Sequence, residues 1–96
     1  MNLKPGMMIW IPCEVKPGPS SNERSVKIGS SEEAWIGFVD VQYLKDPVEQ
    51  GSTFIRALVV DVETDRYRAR LPGHSVGSRK MFQGNAGTVT LAPVPA

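Results

Sequence analysis

The sequence predicts an all-β fold: a small barrel of about six or seven short strands with one short helical or 3-10 turn. Three observations carry that expectation. Residues 52–71 alternate as two strands around a tight turn. Glycines and prolines, nine and eight of them, cut the 96-residue chain into short segments. No stretch repeats apolar residues at helical spacing for long enough to make a long helix.

The hairpin is explicit enough to propose a register. With Thr64 and Asp65 as a two-residue turn, Glu63 faces Arg66, Val62 faces Tyr67, Asp61 faces Arg68, Val60 faces Ala69, Val59 faces Arg70 and Leu58 faces Leu71. Opposite charges then meet on one side of the ribbon. Val62, Val60 and Leu58 lie against Tyr67, Ala69 and Leu71 on the other, the side this register assigns to the core. Residues 53–62 are apolar on both parities, as in a long strand that bends across a barrel and shows the core one face early and the other later. Arg56 shares the parity of Leu58 and Val60, so either a bulge turns it outward or it sits at the barrel mouth.

Upstream, the turn at Lys4-Pro5-Gly6 leads into an apolar strand, residues 7–11, which Pro12 bounds; Met7, Ile9, Ile11, Cys13 and Val15 share its inner face, with Met8 and Trp10 opposite. Residues 16–22 hold two prolines and a glycine and form a surface loop. Residues 24–28, with Val26 and Ile28 inward, pair with 34–39 as a second hairpin. Asp40 caps a short helical or 3-10 turn that Asp46-Pro47 prevents from continuing. After the hairpin come a loop at 74–80, a short strand at 80–83, a turn at 84–87 and a last strand at 88–91 with Val89 and Leu91 inward.

This length supports one core, so residues 1–91 are read as a single domain and 92–96 as a flexible tail. Hydrophobic residues at 41% and charged ones at 22% place the chain among ordinary globular proteins. Eleven basic against ten acidic side chains leave a net charge of +1, which supplies no global attraction to nucleic acid or to an anionic membrane. Cys13 is the single cysteine, so no intramolecular disulfide forms, and a free thiol suits a reducing cytoplasm. The apolar run at 7–11 is too short for a signal peptide or a bilayer span, which predicts a soluble cytoplasmic protein without a membrane partner.

Gly37-Phe38-Val39-Asp40-Val41-Gln42-Tyr43-Leu44 resembles the Gly-Trp-Val, three residues, Tyr-Leu motif of bacterial SH3-like domains, with Phe38 in place of Trp, and Val15-Lys16-Pro17-Gly18-Pro19-Ser20 is similar to their Val-Arg-x-Gly-Pro-Ser loop. The interval between the two motifs is about half that of the family, and the strongest hairpin follows the second motif instead of preceding it. The resemblance implies an SH3-like barrel. Val41-Gln42-Tyr43 also looks like a shortened form of the Val-Gln-Ile-Tyr pore segment of type II dihydrofolate reductases, small SH3-like barrels that assemble as tetramers; that resemblance implies a small oligomeric enzyme. In size and solitude the chain is similar to the stand-alone orphan proteins of bacterial mobile gene cassettes.

No residue cluster names a reaction, a cofactor or a metal site. Cys13 and His74 are the only soft or imidazole groups, and their spacing forms no zinc motif. The reading from the residues is therefore a non-enzymatic module that recognises a peptide or protein surface through Trp35, Tyr43, Trp10 and Arg56, aided by the 16–22 loop. Trp35 is singled out because its strand parity opposes Ala34, Ile36 and Phe38, and Gly37 leaves space beside it. The alternative is nucleic-acid binding through Arg66, Arg68, Arg70 and Lys80, although Asp61 and Glu63 oppose two of those arginines. Exposed strand edges also allow a homo-oligomer.

Overall fold

The computed structural model describes residues 3–29, 34–46, 48–76 and 81–92, and all regular structure within them is strand or 3-10 turn. The strands are β1 (Met8–Pro17), β2 (Glu23–Ile28), β3 (Trp35–Asp40), β4 (Gly51–Glu63), β5 (Arg66–Arg70), β6 (His74–Ser75), β7 (Met81–Asn85) and β8 (Thr90–Leu91). They form one sheet in the order β6-β3-β2-β1-β4-β5-β7, with β8 added beside β1, and every pairing is antiparallel. The protein is all-β, as its punctuation by Gly and Pro predicted.

The sheet curls because β5 and β6 are successive parts of one path. β5 pairs with β4; the chain then bends through Leu71, Pro72 and Gly73, and β6 pairs with β3 at the opposite end of the sheet, setting Phe38 opposite His74. Gly73 permits that bend. Its φ is +99°, and a Cβ there would overlap the carbonyl oxygen of Phe38.

Inside the curl lie Ile9, Ile11, Cys13 and Val15 of β1, Val26 and Ile28 of β2, Ile55, Ala57 and Val59 of β4, and Tyr67 and Ala69 of β5. β1 runs on through Pro12, which was expected to end it. On one side β1 pairs with β8 at Ile9 and Trp10 and with β2 from Glu14 onward, so Pro12 falls in the gap between those partners and its missing N–H breaks no ladder there. The second hairpin forms as expected, and Asp40 accepts a hydrogen bond from the Gln42 N–H at 3.0 Å, capping the 3-10 turn at Val41–Tyr43.

The register of the β4–β5 hairpin holds at its tip and fails above it. Glu63, Val62 and Asp61 pair with Arg66, Tyr67 and Arg68; Val59 then pairs with Ala69 and Leu58 with Arg70, because the ladder shifts between Val59 and Asp61. Val60 is the extra residue. A bulge flips the strand's parity. Val59 and Ala57 therefore face inward, while Leu58 and Val60, assigned to the core from the sequence, are each 37% exposed. Arg56 points outward on the same parity, and the bulge sits four positions beyond it.

One assignment near the end also changes. Val89 is buried, but Leu91 is 49% exposed. Ala92 is buried and donates its N–H to the Met8 carbonyl at 3.0 Å; 93–96 lie outside the described residues.

Tyr67 is 1% exposed, beside Phe82 at 6.3 Å between ring centres, and its hydroxyl has no hydrogen-bond partner among the described residues. An unsatisfied buried hydroxyl carries a desolvation cost of about 1–3 kcal/mol. Tyr67→Phe is therefore expected to raise the urea midpoint, by about 1 kcal/mol of stability at neutral pH. Burial also raises the phenol's pKa above its ordinary 10.0. The unfolded phenol then ionises first as pH climbs past 10, so wild-type stability falls there while Tyr67→Phe escapes that part of the loss. Equal midpoints for the two proteins across that range would contradict the assignment.

Candidate binding groove

The outer face of the central strands is the most structured part of the surface. Met8 on β1, Leu58 on β4 and Arg70 on β5 stand in one row across three strands, and Trp10 stands beside Arg56 in the next. Beyond them, the segment after the 3-10 turn docks on β4: Leu44 bridges Ile55 and the Lys45 N–H donates to the Phe54 carbonyl at 2.9 Å. That docking brings Tyr43 to the same edge. Together Met8, Tyr43, Arg56, Ala57, Leu58, Arg70, Leu71 and Pro72 enclose a groove of about 200 Å³.

Three of the four predicted binding residues are thus brought together. Tyr43 and Arg56 line the groove, and the Arg56 guanidinium lies over the Trp10 ring, 5.9 Å from its centre. A cation held over a ring at this distance is attracted to the negative π face, which orients Arg56 without neutralising it. Lys45 repeats the arrangement over Phe54 at 5.5 Å.

Trp35 is the exception. It is 1% exposed and faces the core. The register explains the inversion: β2 has Val26 and Ile28 inward, and Ile28 and Val26 pair with Trp35 and Gly37. The space beside Gly37 is real, but the indole occupies it from within; a Cβ on Gly37 would sit 2.5 Å from Trp35 Cη2 and 2.6 Å from the His74 carbonyl oxygen. Ile36 and Phe38, which the opposite parity had placed inside, are 45% and 36% exposed. Trp35 Nε1 is buried without a hydrogen-bond partner among the described residues, and the ring borders a cavity of about 440 Å³ with Arg70, Leu71, Gly73, Ser75 and Met81.

The arginine stripe forms on β5, with Arg66, Arg68 and Arg70 all exposed. Arg68 is committed: its Nη2 meets Asp61 Oδ2 at 2.8 Å. Arg66 stands across from Glu63, and a second groove of about 210 Å³ contains both acids along with Arg66, Arg68, Tyr67 and Gln83. Arg70 stands apart, opposite apolar Leu58. Lys80 lies outside the described residues.

Cys13 is buried on β1, and that burial, with Glu14 next to it, pushes the thiol up to about 12, so it is protonated and unreactive at neutral pH. His74 is exposed on β6, a strand that does not pair with β1. Among the described residues, no three metal-binding side chains come together, and no helix is long and apolar enough to cross a membrane.

Leu58, Met8 and Pro72 were not foreseen as groove residues. For Leu58 a signal was present in the two-parity apolar run of residues 53–62, which marks a strand with an apolar outer face as well as an inner one. No family model matches this chain, and searches of curated proteins and of solved structures found no match either.

Proposed function

We propose that this domain is a non-enzymatic binding module that takes an apolar side chain of a peptide or protein partner into the groove between β1, β4 and β5. The observation that carries this reading is the convergence of Tyr43, Arg56 and the exposed Leu58 on one concave site with an apolar floor. Such sites combine a few apolar contacts with a small number of placed polar groups. The partial SH3-like resemblance agrees with a recognition role, and the free thiol of Cys13 agrees with a reducing cytoplasm.

Selection of displayed random peptides on the domain tests the reading. Enriched peptides are expected to share a bulky apolar residue and to lose at least about tenfold in affinity against Leu58→Glu, which replaces the aliphatic floor of the groove with a carboxylate facing Arg70. Because Leu58 is 37% exposed, that variant should keep its unfolding midpoint within about 0.5 kcal/mol of wild type. Failure to enrich any peptide, or equal binding to Leu58→Glu, would overturn the proposal.

A further inference from the structure

We infer that the groove selects an acidic partner: a segment with one bulky apolar side chain flanked by Asp or Glu, whose carboxylates meet Arg56 and Arg70. This deepens the groove reading above and rests on it. The charge pattern is the reason. Arg56 and Arg70 both line the groove, and none of the described residues that line it is acidic. The single salt bridge among the described residues is Arg68 with Asp61, so neither Arg56 nor Arg70 is neutralised by an ion pair there. Leu58 pairs with Arg70, and Arg56 lies two residues before Leu58 on the same strand; the two guanidiniums therefore start from a diagonal cross-strand pair about 7–8 Å apart at their backbones. In an extended peptide the side chains two positions before and after the seated residue point the same way as it does, about 7 Å to either side, so carboxylates there lie over the groove within reach of the long Arg56 and Arg70 side chains. Guanidinium forks bind carboxylates with paired, charge-assisted hydrogen bonds, and the apolar floor beneath lowers the competition from water.

The same features disfavour a nucleic-acid strand. The floor is built largely of aliphatic groups, with Tyr43 half-buried and the Trp10 ring already covered by Arg56, so no open ring awaits a base. A phosphate backbone following the β5 arginines from Arg70 would next meet the carboxylates of Asp61 and Glu63.

The test uses three synthetic mixtures of short peptides with a central leucine, their flanking positions drawn from Asp and Glu, from Asn and Gln, or from Lys and Arg, each diluted with Gly and Ser. Each is titrated into isotope-labelled protein while the side-chain N–H signals of Arg56, Arg70 and Trp10 are followed. The acidic mixture is expected to shift these signals at about tenfold lower concentration than the amide mixture, and the basic mixture to act most weakly. Arg56→Gln and Arg70→Gln should each remove most of the preference for acid, whereas Arg66→Gln should keep it. Amide and acidic mixtures acting alike, or a preference that survives both substitutions together, would overturn the inference and leave the groove reading standing. Silence from all three mixtures would overturn both. Oligothymidine moving the same signals at lower concentration than the acidic mixture would also overturn the inference, in favour of nucleic acid.

Discussion

Trp35→Ala is expected to cost about 4 kcal/mol, close to the whole stability of many domains of this size. The ring is fully buried, and its edge rests over Gly37, which has no side chain of its own to fill the space left behind. Thermal unfolding followed by circular dichroism should show the midpoint falling by about 15 °C or more, or no transition at all. Trp35→Phe keeps most of the apolar volume and removes the unpartnered indole N–H, so it should cost far less, within about 1–2 kcal/mol. If Trp35→Ala left the midpoint unchanged, the ring would have to be at the surface, and the assignment of β3's inner face would fall.

Gly73→Ala is the second large effect, expected at about 3 kcal/mol or more. Two penalties add: an L-residue at φ +99° is strained whatever its surroundings, and the new methyl would overlap the Phe38 carbonyl oxygen. Both act on the bend that carries β5 into β6. The loss should therefore be local first, visible as faster amide exchange at Val76, whose N–H donates to the Ile36 carbonyl at 2.9 Å, while amides in the β1–β4 ladder exchange only on global unfolding. Uniform acceleration across the sheet, or no change, would mean that this bend does not hold β6 against β3.

Much of the fold is readable as letters because its strands are short, punctuated and mostly half-buried. The tip of the β4–β5 hairpin is fixed by Thr64, which takes a positive φ of 55°, and by charges that pair only in one register. What escapes is parity. A single additional residue at Val60 reverses which side chains face inward, and nothing in Leu58-Val59-Val60 distinguishes the residue that bulges, since all three are apolar. The same ambiguity governs β3: Ala34, Ile36 and Phe38 outnumber Trp35 as apolar candidates, yet Val26 and Ile28 across the ladder decide for the indole.

The groove was half legible for a related reason. Tyr43, Trp10 and Arg56 stand out by residue type, and the 3-10 turn that brings Tyr43 to β4 is marked by Asp40. Arg70 was legible as the arginine of the stripe without an acid across from it, since it faces an apolar residue in either register, but its place in the groove depends on the shifted ladder that sets it against the outward Leu58 and not against Val59. Met8 and Leu58 join it through strand order, with β1 next to β4, a fact of topology that no local window contains.

The position of β1 at the centre of the sheet has a consequence for biosynthesis. β1 takes partners from β2, β4 and β8, which lie progressively farther along the chain. β2 is made directly after it, but the ladders to β4 and β8 close only when residues 51–58 and 90–91 have been added, and loop closures of that span make the final collapse slow compared with a helical bundle of equal length. Nascent chains halted before β8 should accordingly remain protease-sensitive and attractive to chaperones, with native protection arriving late and in a single step.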